Sequence, residues 1–134
     1  MIPGVGRVGT VTIPGGVNVA PHEIATAYRL AAAGLDVHFN RLAHDNGVKN
    51  IDVTIDGDLW ELKSPRGSSR NTLAHQWSRA KAQGATRLAV DMARTSLADA
   101  DAIEELQRRL FADDQVVEVV LVAHDESVTR ITRI

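Results

Sequence analysis

The chain has 134 residues, 15 Lys and Arg against 17 Asp and Glu, a formal charge of −2 and an apolar fraction of 44%. That is the size and composition of one globular domain, and it excludes wholesale disorder. Cysteine is absent, which removes disulfide frameworks, thiol nucleophiles and cysteine-held zinc together.

No run of about 18 uncharged apolar residues is available to span a bilayer. Met1-Ile2-Pro3-Gly4 lacks the basic start and apolar core of a signal peptide, so none is expected. Residues 1–19 are rich in Gly and Pro and are expected as an extended arm or linker, with one domain over 20–134. Gly4, Gly6 and Gly9 match the spacing of a dinucleotide fingerprint. That turn works only between a strand and a helix, and neither flanks it here. A helix is expected from Pro21 to Ala33, stopped by Gly34, with Ile24, Ala27, Tyr28 and Ala31 as its apolar stripe. Glu23 falls on the edge of that stripe, beside Ala27 and Leu30.

Leu35–Phe39 reads as a strand and 41–50 as a polar loop. Ile51–Asp56 alternates apolar and polar without a fault, Asp56-Gly57-Asp58 signals a tight turn, and Leu59–Lys63 returns. A helix over Asn71–Gln83 follows a Ser/Gly-rich loop. Then come a strand at Thr86–Asp91, a helix at Leu97–Leu110, a strand at Gln115–Ala123, and Val128–Ile131 to pair with it. The expected helix at 97–110 turns Ala98, Asp101, Ile103, Leu106 and Leu110 inward and Asp99, Glu104 and Glu105 to water. The order α-β-β-β-α-β-α-β-β belongs to a mixed α/β fold.

Charge is segregated. Residues 63–94 hold seven basic side chains (Lys63, Arg66, Arg70, Arg79, Lys81, Arg87, Arg94) and one acidic, Asp91, whereas residues 95–126 hold nine acidic and two basic. A phosphate-binding surface needs local positive potential, not a positive total. Two helices of opposite sign that attract each other give the same pattern.

The chemistry concentrates on the central hairpin. Side chains alternate along a strand, so Asp52 shares a face with Thr54, and Glu61 with Lys63. A short hairpin brings the two strands within about 5 Å, so Asp52, Glu61 and Lys63 can converge. Two carboxylates held together repel unless a cation neutralises them, and oxygen donors at this spacing suit Mg²⁺. Metal, activated water and a positive clamp are the parts that phosphodiester hydrolysis needs. Ser64, Arg66, Arg70 and Asn71 lie at the following helix N-terminus, a favourable place for phosphate, and Gln76 can point at the same cleft. The same residues also fit an ordinary helix start, and Glu61 with Lys63 also fits a surface pair. Trp60 faces away from Glu61 and is expected in the core, while Trp77 is open.

Asp52, then Glu61-Leu62-Lys63, behind a helix carrying Glu23, resembles the PD-(D/E)XK nuclease superfamily. The resemblance implies an α-β-β-β-α-β core with a C-terminal helix and strand extension. It also implies a metal held by Asp52, Glu61 and Glu23, with Lys63 assisting the water. The proline of the pattern is missing, because Asn50-Ile51 precede Asp52. The closer resemblance is to the C-terminal toxin nucleases of contact-dependent growth inhibition proteins. It rests on His22-Glu23-Ile24 through Gly34, the Asp-Gly-Asp hairpin, Glu61-Leu62-Lys63-Ser64-Pro65, and a helix with Asn71, Gln76 and Gln83. It implies an RNA endonuclease, tRNA favoured, dependent on Mg²⁺ (or Mn²⁺ or Zn²⁺). Such a domain would be the tip of a larger secreted protein, active in the target-cell cytoplasm and neutralised by an immunity protein covering the basic cleft. The acidic helix is then expected on the side away from Glu61. The competing readings are a DNA endonuclease of the same superfamily, or a non-catalytic nucleic-acid or protein binding module on a degenerate nuclease fold.

Overall fold

The computed structural model describes residues 8–40 and 53–131. Its elements run β1 (Val11–Thr12), α1 (Pro21–Ala32), β2 (Val37–Phe39), β3 (Val53–Ile55), β4 (Asp58–Lys63), α2 (Arg70–Ala82), β5 (Arg87–Asp91), a 3₁₀ turn (Met92–Arg94), α3 (Asp99–Ala112), β6 (Glu118–Val122) and β7 (Val128–Ile131). The nine expected elements occur in the expected order, and β1 is added. The strands form one seven-stranded mixed sheet whose spatial order is the chain order. Pairing is antiparallel for β2–β3, β3–β4 and β6–β7, and parallel for β1–β2, β4–β5 and β5–β6. Three helical crossovers, α1, α2 and α3, serve the parallel pairs β1–β2, β4–β5 and β5–β6, as parallel neighbours require.

Local chemistry explains the boundaries. Pro21 opens α1, where a missing N–H costs nothing. The β3–β4 turn needs positive φ at both central residues; Asp56 adopts 48° and Gly57 94°, which only a residue such as glycine takes without strain. From residue 8 the Gly/Pro-rich arm lies along the domain: Gly9 N–H donates to the Ala31 carbonyl at 2.7 Å. A Cβ on Gly9 would stand 1.9 Å from the Leu35 carbonyl oxygen, so this approach requires glycine. Val11, Val17 and Val19 pack against the core beneath α1.

The sheet is covered on both faces. Ala27 and Leu30 of α1 meet Val37, Phe39, Val53, Ile55, Trp60 and Leu62 on one. Leu73 and Trp77 of α2 and Leu106 and Leu110 of α3 meet Leu88, Val90, Val119 and Leu121 on the other. Each such leucine contributes roughly 1.5–3 kcal/mol of burial free energy. Trp60 is in the core as expected, and Trp77 is too, its indole N–H donating to Asp113 Oδ2 at 3.1 Å.

Three expectations are corrected. The buried stripe of α1 is Thr26, Ala27, Leu30 and Ala31, and Tyr28 is 61% exposed. Apolar residues span so wide an arc of α1 that helical period alone does not choose between Tyr28 and Leu30. Ala98, at the N-cap of α3, is exposed and Asp101 half exposed rather than turned inward. Glu105 is buried rather than turned to water, because Arg108 Nη2 and Arg109 Nε each lie 2.6 Å from its carboxylate. That pairing, led by the Arg108 hydrogen bond, holds the carboxyl below its ordinary range. Finally, α3 packs against α2 and over β6 and β7, on the face of the sheet to which Glu61 points but displaced across it from β4. Apolar contacts with Val119 and Leu121 put it there.

Candidate functional site

Alternation along β4 sends Trp60 and Leu62 into the core under α1 and places Glu61 and Lys63 on the opposite face, in register with Leu88 and Val90 of β5. Glu61 is only 2% exposed. A carboxylate so placed is costly unless paired and hydrogen-bonded. Lys63 supplies the charge, with Nζ 3.7 Å from Oε1. Gln83, at the end of α2, supplies hydrogen bonds: with its amide nitrogen turned to Glu61, it donates to both carboxylate oxygens at 3.0 Å.

Around this pair lies a cleft of about 310 Å³. His22, Glu23 and Thr26 line it from α1, Glu61, Leu62, Lys63 and Ser64 from β4 and its exit, Gln76 and Gln83 from α2, and Arg94 from the 3₁₀ turn. Among the described residues Glu23 makes no ion pair, so the cleft presents one carboxylate bound by a lysine and a second without a cation. Among the described residues the carboxylates that line it are Glu23 and Glu61; Asp52, the third expected ligand, lies outside the described residues. Among the described residues no three His, Asp or Glu side chains are grouped closely enough to hold a metal by themselves.

The orientation of α1 over the cleft has a specific source. Asp91, fully buried at the end of β5, accepts from Thr26 Oγ1 at 2.5 Å and from Arg29 Nη1 at 2.7 Å. Its other oxygen accepts from the Ala93 N–H at 3.0 Å, capping the turn that carries Arg94. One carboxylate thus fixes both the helix bearing Glu23 and the turn bearing Arg94. A sequence signal existed: Thr26 and Arg29 sit three apart on one helix face, and Asp91 is the single acid in a basic stretch.

The expected phosphate-binding set divides. Ser64 and Gln76 line the cleft, whereas Arg66 and Asn71 are exposed outside its lining. Arg70 is turned to α3, with Asp101 at 3.1 Å and Glu104 at 3.0 Å. The hydrogen bonds it donates to Glu104 first, and then to Asp101, raise its pKa. Lys81 pairs with Asp113 at 2.8 Å, and Arg87 with Glu118 at 3.1 Å. The basic segment is therefore no continuous surface; opposite-sign attraction accounts for much of it. Arg94 was counted among the seven cations but not placed at the site by the sequence, because the turn carrying it is 31 residues beyond Lys63.

The profile of the contact-dependent growth inhibition CdiA C-terminal domain matches residues 49–128, which is more than half of the chain. The chain belongs to this family. The matched stretch contains the central hairpin, α2, β5, α3 and β6, hence Glu61, Lys63 and Arg94 of the CdiA C-terminal domain described here, while Glu23 and Thr26 on α1 precede it. Its fold is similar to a chain of the CdiA-CT/CdiI toxin and immunity complex from Burkholderia pseudomallei, with a TM-score of 0.74 at 20% identity. That alignment covers 92% of this chain and 99% of the other. No curated protein sequence matches.

Proposed function

We propose that this CdiA C-terminal domain is a toxin that hydrolyses RNA phosphodiester bonds, tRNA favoured, with a divalent metal, Mg²⁺ before Mn²⁺ or Zn²⁺. The observation that carries this reading is the buried Glu61–Lys63 pair in a cleft that Glu23 also lines. An oxygen-only donor set beside a lysine is the chemistry of PD-(D/E)XK-type phosphodiester cleavage, and among the described residues Glu23 makes no ion pair. Asp52, Glu61 and Glu23 would hold the metal, which when bound supplies Lewis-acid stabilisation and a more acidic water.

The chain's own contributions follow from the geometry. Gln83 fixes the plane of the Glu61 carboxylate, and Glu61 fixes Lys63. Lys63 directs its ammonium at the negative charge that develops on the non-bridging phosphate oxygens and orients the attacking water. Asp91 holds α1 and so the position of Glu23. The toxin acts in the cytoplasm of the target cell, after delivery as part of a larger secreted protein, and a cognate immunity protein covers the cleft. The similar Burkholderia pseudomallei chain is found in a toxin and immunity complex, which supports the existence of an immunity partner.

The test is incubation of the purified domain with total tRNA and, separately, with plasmid, with Mg²⁺ and with excess chelator. Cleavage of tRNA only with Mg²⁺ is expected. Cleavage of plasmid alone would make the substrate DNA, and full activity in chelator would remove the metal. Cleavage of neither would leave a binding module.

A further inference from the structure

We propose that Arg94 is a residue that binds a substrate phosphate beside Lys63, a role the sequence pattern gives to Arg66 and Arg70. This inference rests on the nucleic-acid reading of the cleft.

The cations of the basic segment differ in what answers their charge. Arg70, Lys81 and Arg87 each face carboxylates on α3 or β6 or in the loop between them, and Lys63 faces Glu61. Arg94 also lines the cleft, yet its partners are neutral. Nε donates to the Ser64 carbonyl at 3.2 Å and hydroxyl at 3.0 Å, and Nη2 donates to the same carbonyl at 2.7 Å. A guanidinium has five N–H groups. The contacts to Ser64 leave both hydrogens on Nη1 and one on Nη2 for another acceptor, and no carboxylate among the described residues neutralises the charge.

The position is prepared in advance. Met92 is fully buried, Asp91 caps the turn through Ala93, and Ser64 holds one edge of the fork. The entropy cost of ordering a long side chain is therefore met before any ligand arrives. A planar fork with one edge anchored and the rest facing a cleft matches two oxygens of one phosphate. Ser64 directly follows Lys63, so this phosphate would lie next to the one on which Lys63 acts.

The alternative is that Arg94 only staples the exit of β4 to the 3₁₀ turn. Binding of fluorescently labelled tRNA to the wild-type domain, measured by anisotropy in chelator across a salt series, separates the two. Arg94→Gln is expected to bind about tenfold more weakly and to reduce the slope of log affinity against log salt by about 0.7–0.9, one phosphate contact. Arg94→Lys should recover that slope but not the full affinity, because the charge returns without the fork. Arg70→Gln should leave both unchanged. A wild-type slope in Arg94→Gln, or loss of slope in Arg70→Gln instead, overturns the assignment. Absence of salt-dependent tRNA binding by the wild type would sink the nucleic-acid reading and Arg94 with it. If Arg94→Gln does not fold, the Arg94 Nε–H resonance of ¹⁵N-labelled wild type is followed during tRNA titration. A shift supports the contact, and an unmoved resonance at saturation overturns it.

Discussion

The α2–α3 layer and the cleft beside it use charge in opposite ways. In the layer, carboxylates and cations answer one another: Arg70 with Asp101 and Glu104, Lys81 with Asp113, and Glu105 with Arg108 and Arg109. In the cleft, Glu61 is buried, Glu23 has no cation among the described residues, and Arg94 is held by neutral oxygens. Charge balanced within the chain contributes to stability, while charge left unbalanced at a concave surface implies a ligand. Net charge by segment conceals this, since both regions draw cations from residues 63–94.

Substitutions that separate activity from stability test the contrast. The largest effect is expected for Glu61→Gln, which should lower tRNA cleavage by the folded fraction by about 10²–10⁴-fold with a fall in thermal midpoint that leaves the domain folded. The amide keeps the side-chain volume but leaves the partly buried Lys63 ammonium without its carboxylate. Equal loss of activity and stability would mean that Glu61 is structural. In the layer, Leu110→Ala should cost about 2–5 kcal/mol in denaturant unfolding and leave cleavage by the folded fraction unchanged.

Asp113→Ala follows, at about 2–3 kcal/mol, because it strips the Trp77 indole N–H and the Gln115 and Val116 amides of their acceptor. Burial pushes the Asp113 carboxyl up, but the Lys81 ammonium and those N–H donors outweigh it, leaving its pKa well below the carboxylate range. A depressed pKa contributes stability above the unfolded value of about 4 that is lost as pH falls. Wild type should therefore lose stability in acid more steeply than Asp113→Ala; equal acid slopes would remove Asp113 from the account.

The smallest effect concerns His124, whose ring nitrogens lie 2.8 Å from Asp99 Oδ1 and 2.7 Å from the Thr95 carbonyl. The Thr95 hydrogen bond first, and then Asp99, raise its pKa. That contribution is complete below the unfolded value of about 6.5 and disappears as pH rises through the folded value. The thermal midpoint of wild type should thus fall slightly between pH 6 and 8, and His124→Gln should flatten the fall.

What was legible in the sequence was what local chemistry decides. Strict alternation and the Asp56-Gly57 turn determine the hairpin, and with it the shared face of Glu61 and Lys63. Pro21 and Gly34 bracket α1, and β-branched runs mark β6. What escaped depended on partners far along the chain. Glu105 looked like a surface acid because its burial depends on the pose of α3 over β6 and on which arginines fold back to it. Arg70 looked like a phosphate ligand because Asp101 and Glu104, more than 30 residues away, hold it. β1 is two residues long, too short to show a period, and exists through parallel pairing with β2.

The strand order has a kinetic consequence. Because spatial order is chain order, no strand must wait for a distant segment to be inserted between two already paired neighbours. The sheet can zip from one end or condense from the β3–β4 turn outward. Each added strand closes a loop no longer than one helix and its joints wherever the connection is described. Loop-closure entropy then rises in small steps, and the search is short for a sheet of this width. A domain wired in this way can be drawn out into a thread and still find its sheet again, one neighbour at a time.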